Sequence, residues 1–414
     1  VLWRQWICFL RKSLWGVGLG MVLAIATSGR SLAEPYNEGG EIRLGMSTAL
    51  TGPAAALGLA VREGVLAGLD GANQHGGVQG RTLRLVALDD GYEPTVAIRN
   101  LHQLIERDEV MAIIGNVGTP TAVAVVPIAT NFQTLFFAGF TGSRILRHDP
   151  PDAFVINYRA GYTEEIDAMI EALVLQGGIR PEEIAFFTQR DSYGDAGFTG
   201  GMAALKRQGH PNPYLAPHVR YERNSLAVED ALVGLLFAEP PPRAVVMVGA
   251  YAPCAKFIRL AWQSGLHVIF LNVSFVGSEP LAAALDGITA PVIVTQVVPH
   301  PLDVSLPAVR KYHEDLRRLD PEAKPGFASL EGHIATQILL LAMGKAQLKP
   351  NRLTLVRALD ELGDFDVGLG VPLHLSPTVH QASHSIWPTS LRQGAFVPFA
   401  WTNLARWIKE QPQR

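Results

Sequence analysis

From residue 41 onward, short apolar runs alternate with longer amphipathic ones. Residues 42–47 read as a strand, 56–73 as a helix and 82–88 as a second strand. Residues 94–106 predict a helix with Pro94 in its first turn, where a missing N–H leaves nothing unsatisfied. Residues 110–115 (VMAIIG) carry no polar alternation, the mark of a strand buried on both faces. A helix over 121–131 and a strand over 134–138 complete a first βα series. This order predicts a parallel sheet with helices on both faces.

The same order restarts after Pro150-Pro151, with a strand at 153–157 and a helix at 163–176. In that helix Ile166, Met169, Ile170, Leu173 and Val174 form one stripe, and Glu164, Glu165, Asp167 and Glu171 are expected on the wet faces. Further elements follow at 183–188 (strand), 196–208 (helix), 214–221 (strand), through Leu232 (helix), 244–249 (strand), 255–264 (helix) and 267–273 (strand). Two βα blocks of this size define an α/β fold of two similar lobes. After Thr295 the pattern changes to long helices at 306–319, 329–348 and 353–362, then a strand pair near Ile386 and Phe396. Helices that arrive this late must pack on sheets already built, so the lobes are expected to exchange chain segments.

The first thirty-odd residues differ from the rest. Arg4, Arg11 and Lys12 precede an apolar run at 14–26, and Ser31-Leu32-Ala33 follows. That is the order of a secretory signal, with cleavage expected after Ala33. The run is short of the roughly 20 residues a spanning helix needs, and no other segment is expected to span. Cys8 would leave with the signal, so Cys254 alone remains and no internal disulfide is expected. A periplasmic location fits.

Of 414 residues, 48% are hydrophobic and 18% charged, with a formal net charge of -3. The balance excludes the strongly basic face of a nucleic-acid binder. Enzyme signals are poor: neither a G-x-x-x-x-G-K-[ST] phosphate loop nor a G-x-S-x-G nucleophile elbow occurs. His374, His380 and His384 could hold zinc, but solvated loop histidines explain them as well. Asp89-Asp90 at a strand end reads as loop chemistry rather than an acid/base pair. No catalytic group, metal or cofactor is expected.

Small hydroxyl and glycine residues directly after strands are more informative. Asn116-Val117-Gly118-Thr119 and Gly139-Phe140-Thr141-Gly142-Ser143 each follow a strand. In open parallel sheets, ligands bind beyond the carboxyl ends of strands, where helix N-termini present free N–H groups. Thr119 and Thr141 are therefore candidate ligand hydroxyls, although Thr is also an ordinary helix cap. In the second block Tyr162, Tyr193 and Tyr251 follow strands and offer an apolar face with a polar tip.

In order, these segments resemble the branched-chain amino-acid binding proteins of ABC transporters, the type I periplasmic binding fold. The carriers are IRLGMSTALTGPAAALG, GGVQGRTLRLVALDDGYEP, IIGNVGTPTAVAVVPIA, FTGSRILR, RDSYGDAG and VGAYAP, spread over about 41–396. The resemblance implies two lobes, three hinge crossings and closure around a ligand. It places 41–158 with about 298–370 in one lobe and 159–297 with about 371–414 in the other. It implies that Thr119 and Thr141, or Gly142 in the place of Thr141, hold the ligand's polar head, that Tyr193 and Tyr251 close over it, and that Leu57 lines the pocket; Gly118, Phe140 and Tyr162 are further candidates beside them. Ser274 falls where amino-acid binders carry an acid for the ammonium, and Glu331 is a candidate substitute. The expected function is a monomeric capture protein for a small amino acid, carboxylate or amide, serving an ABC permease. A sensor on the same fold and an α/β hydrolase are the rival readings.

Overall fold

In the computed structural model the described residues are 40–346 and 351–410, so the expected signal segment lies outside them. The first sheet is built from β1 (Glu41–Thr48), α1 (Ala55–Gln74), β2 (Thr82–Asp89), α2 (Pro94–His102), β3 (Ala112–Ile114), α3 (Thr119–Asn131), β4 (Leu135–Phe137) and β5 (Val155–Ile156). Its strand order is β2-β1-β3-β4-β5, parallel throughout. All three residues of β3 and of β4 are buried, as their unbroken apolar runs require.

The second body contains α4 (Tyr162–Glu171), β6 (Ile184–Gln189), α5 (Ser192–Arg207), β7 (His218–Tyr221), α6 (Glu229–Leu236), β8 (Ala244–Val248), α7 (Tyr251–Gln263), β9 (Ile269–Asn272), α8 (Ser278–Ala284) and β10 (Val292–Gln296). The chain continues through α9 (Pro307–Leu319), α10 (Phe327–Lys345), α11 (Arg352–Asp360), the hairpin β11 (Gly363–Phe365) and β12 (Leu373–Leu375), then β13 (Trp387–Arg392), β14 (Ala395–Pro398) and α12 (Leu404–Lys409). The second sheet has the order β14-β13-β10-β9-β8-β6-β7. It is not wholly parallel, because β13 pairs antiparallel with both β10 and β14.

Four local expectations need correction. The strand expected at 214–221 is shorter, since Asn212 caps a 3₁₀ turn at Pro213–Leu215 before β7 begins. Helices α5 and α7 start four residues early, which puts Tyr193 and Tyr251 in first turns rather than in loops. Elements α8, β10 and the β11–β12 hairpin had no counterpart in the sequence reading. Finally, α10 is long and apolar enough to cross a membrane by length and composition, with mean hydropathy 1.2. Its window is 78% buried, so it serves as the core helix packed on α1.

Three segments between the sheets run side by side. Asn157 donates its amide to the His380 carbonyl (2.7 Å), and Ala382 donates back to the Asn157 carbonyl (2.9 Å). The Tyr158 hydroxyl donates to the Val297 carbonyl (3.0 Å). Residues near 158, 297 and 381 thus form one strap joining the two α/β bodies, at the strand ends where the candidate residues converge.

Candidate functional site

In the first lobe, Gly115 and Gly118 (φ 65° and 102°) turn the chain out of β3 so that α3 opens at Thr119. The adjacent loop is stitched to it: Phe140 donates to the Asn116 carbonyl (2.8 Å), and Gly118 donates to the Phe140 carbonyl (3.2 Å). This brings the two candidate hydroxyls together, with Thr119 Oγ1 and Thr141 Oγ1 2.7 Å apart and both side chains buried. Arg147 fixes the loop to the strap, donating to the carbonyls of Ser143 (2.9 Å) and Arg159 (2.8 Å) and to Gln381 Oε1 (2.7 Å).

The second lobe supplies an aromatic wall. Asp191 caps α5 by accepting from the Tyr193 amide (3.0 Å), which holds Tyr193 in the first turn. Its ring lies 5.3 Å from Tyr162 and 4.6 Å from Phe275, and Phe275 lies 5.6 Å from Phe140 and 6.1 Å from Tyr92. Tyr92 and Phe140 belong to the first lobe, so the wall spans both. Such tilted ring pairs are favourable beyond their area burial. Leu57 and Tyr251 meet around Gly277: a β-carbon there would stand 2.6 Å from Leu57 Cδ2 and 3.6 Å from Tyr251 Cδ1.

The structure adds a charged centre that the sequence reading missed. Arg159, at the strap, is 1% exposed and lies with Cζ 4.7 Å from the Phe140 ring centroid. Its Nη2 donates to Ser274 Oγ. Glu165 Oε1 stands 3.7 Å from Nη2, and Glu331 Oε1 stands 3.6 Å from Nε. Burial opposes the Arg159 charge, but Glu331 and Glu165 more than offset it and hold the pKa above the ordinary guanidinium value. Glu165, expected on a wet face, is fully buried. It is accommodated because it accepts from Ser274 N (2.8 Å), Ser274 Oγ (2.9 Å) and Thr295 Oγ1 (2.6 Å). Ser274 is thus the clasp for an acid behind it. Glu331 makes no such bonds, and burial pushes its pKa up to about 7, with Arg159 pulling down and Glu165 pushing up.

The other candidates have structural partners. Asp89 accepts from the Leu50 amide (2.8 Å) and Thr51 Oγ1 (2.5 Å), and Asp90 from Ser47 Oγ (2.8 Å) and the Tyr92 amide (2.9 Å). His374, His380 and His384 each sit against a carboxylate distant in sequence, Asp364, Asp360 and Glu164 respectively. Among the described residues no group of metal-ligating side chains forms. Arg159 had one available signal, a lone cation in the stretch VINYRAGY directly after a strand. Phe275 had none, since NVSFVG reads as ordinary core.

Two α/β lobes, joined by a strap and meeting over hydroxyls, aromatics and a buried ion cluster, define a protein that encloses a small molecule. The chain belongs to the periplasmic binding protein family, which it matches over residues 41–395. This is a solute-binding family and not an enzyme family. A possible leucine/isoleucine/valine-binding protein from Rhodopirellula baltica is 48% identical, with TM-score 0.83, covering 88% of this chain and 97% of that chain. A substrate-binding periplasmic protein from Ralstonia solanacearum is 27% identical, with TM-score 0.79, covering 86% and 100%. An amino acid binding protein of Pseudomonas aeruginosa is 20% identical, over 67% of this chain and 70% of that protein.

Proposed function

We propose that this chain is the extracytoplasmic capture subunit of an ABC importer, a monomer that closes around a small amino acid, carboxylate or amide and presents it to the membrane permease. The lobes we assign are 41–158 with about 298–380 and 159–297 with about 381–414, the third crossing falling near 381 rather than 370. The observation that carries the reading is the convergence of Thr119, Thr141, Arg159 and Glu331 behind an aromatic wall drawn from both lobes. Hydroxyls, a guanidinium and a carboxylate suit a small polar head, and the rings suit an apolar body. The names of the relatives point the same way, from leucine, isoleucine and valine to amino acids generally.

The test is a thermal-shift screen of the chain from Glu34, unfolded and refolded to strip ligand, against amino acids, aromatic acids and amides. A ligand at a hundred times its Kd stabilises by about 2.7 kcal/mol. A melting shift of several degrees with a member of these classes is the expected result. Silence from all three sinks the ligand assignment.

A further inference from the structure

The strongest unspent chemistry in the molecule is the guanidinium of Arg159. Of its donors, only Nη2 makes a hydrogen bond; among the described residues Nε has Glu331 only at ion-pair distance, and Nη1 is buried without a hydrogen-bond partner. A buried donor left unmade is destabilising, and more so on a charged group. A buried guanidinium with unmade donors is matched by one ligand chemistry above others, a carboxylate accepting charge-assisted hydrogen bonds.

The acids nearby differ in what they can still do. Glu165 is saturated by Ser274 and Thr295, so it balances the Arg159 charge and has no oxygen to spare for a ligand cation. Glu331 is free of hydrogen bonds to protein, but its Oε1 is already 3.6 Å from Arg159. An ammonium placed on that oxygen would sit beside the guanidinium, a like-charge contact among buried side chains. A carboxylate placed on Arg159 instead comes beside Glu331, and two carboxylates sharing one site cannot both stay ionised.

Resting on the capture reading above, we propose that the cleft selects a carboxylic acid without an α-ammonium group, its carboxylate accepting from the unbonded Nη1 of Arg159 and sharing with Glu331 a proton taken up from solvent. The apolar body of the acid then lies against Phe140, Tyr193 and Phe275. The groups facing Glu331 are Arg159 and Tyr158 from the strap, Glu165 from α4 and Arg147 from the loop before β5. On α1, Glu63 is turned instead to Asp320 and Arg62, and on α10 itself His333 is held by Asp315 (2.8 Å). In the ligand-free protein Glu331 carries this proton below pH about 7; above it the proton must be taken up on binding, so affinity falls as pH rises.

The experiment is titration calorimetry on ligand-stripped protein with matched compounds at pH 6, 7, 8 and 9. One series is 4-methylpentanoate, L-leucine and 4-methylpentanamide; the other is 3-phenylpropionate, L-phenylalanine and 3-phenylpropanamide. At least one acid should bind, with its α-amino counterpart at least about tenfold weaker. Its affinity should fall by up to about tenfold per pH unit above 7, with proton uptake seen as a buffer-dependent heat. Glu331→Gln should flatten that pH profile while keeping the acid bound, and Arg159→Lys should weaken it about a hundredfold. The pH series on the unaltered protein needs no variant, so a misfolded Arg159→Lys leaves the test intact. Tighter binding of an L-amino acid than of its deaminated partner, or affinity flat or rising from pH 7 to 9, overturns the inference and leaves the capture reading standing. Failure of both acids overturns it too. The capture reading is then judged separately by whether unfolding the natively purified protein releases a small molecule detectable by mass spectrometry.

Discussion

Gly118 shows how tightly one residue can be bound to the site. Its φ of 102° lies outside the range L-residues favour, and a β-carbon there would stand 2.0 Å from Cε2 of the Tyr92 ring. Tyr92 in turn accepts at its hydroxyl from Gln189 of the other lobe (3.4 Å). Gly118→Ala therefore combines backbone strain with displacement of a buried ring. We expect it to cost about 2–4 kcal/mol in urea unfolding, most of it from the ring. A loss under about 1 kcal/mol would mean Tyr92 swings away freely. This residue also marks what the sequence revealed about the site. Thr119 and Thr141 were legible as candidates because each follows a buried strand within a few residues, a local relation. Arg159 was not, because it acquires its meaning from Ser274 and Glu331, residues far along the chain that only the fold brings near. Glu165 was misread for the same reason: periodicity assigns a face of a helix but cannot say whether that face meets water or a buried guanidinium.

At the scale of elements, α1 and α10 meet backbone to backbone. A β-carbon on Gly64 would stand 1.8 Å from the Ser329 carbonyl oxygen, and one on Gly332 would stand 2.4 Å from that of Val61. Neither neighbour is a flexible side chain, so Gly64→Ala must push the helices apart. We expect a loss of about 3 kcal/mol or more, together with weaker ligand binding, because Glu331 rides on the helix that moves. Gly344, near the end of α10, is the internal control: nothing lies within 4 Å of its added β-carbon. There the same change should stabilise, by up to about 1 kcal/mol, through helix propensity alone. Equal effects at the two positions, read by urea unfolding, would refute the close approach. The helices themselves were plain in the sequence, since both carry long apolar stretches with clear ends. The strands β10, β11 and β12 were not, because β10 finds its place by pairing with β9 and β13, and the three-residue strands of the hairpin are too short for the alternation in Leu373-His374-Leu375 to announce them.

For the whole molecule the question is what holds the lobes shut. Apart from the aromatic wall, polar contacts cross between them at the cleft mouth. Glu93 of the first lobe accepts from Arg223 (2.7 Å) and Asn224 (2.7 Å) of the second, and Glu279 of the second accepts from the Phe327 amide of the first (2.8 Å). The Glu93–Arg223 pair is partly open to solvent, with side chains 43% and 24% exposed. Pairs of that kind contribute about 0.2–1 kcal/mol. That is too little to matter for folding, but it acts on the equilibrium between open and closed forms, and a ligand that binds only the closed form feels the whole of it. Glu93→Ala should leave the unfolding free energy of the ligand-stripped protein within about 0.5 kcal/mol, yet weaken ligand binding by about two- to fivefold. Small-angle scattering should show the ligand-saturated variant as compact as the parent, because saturation restores the closed population. Raising salt should reduce the difference between parent and variant, since screening removes from the parent what the substitution removes from the variant. Should the stripped variant unfold more easily by as much as binding weakens, Glu93 would be supporting its own lobe, and closure would rest on the rings, the Arg159 cluster and the remaining crossing at Glu279.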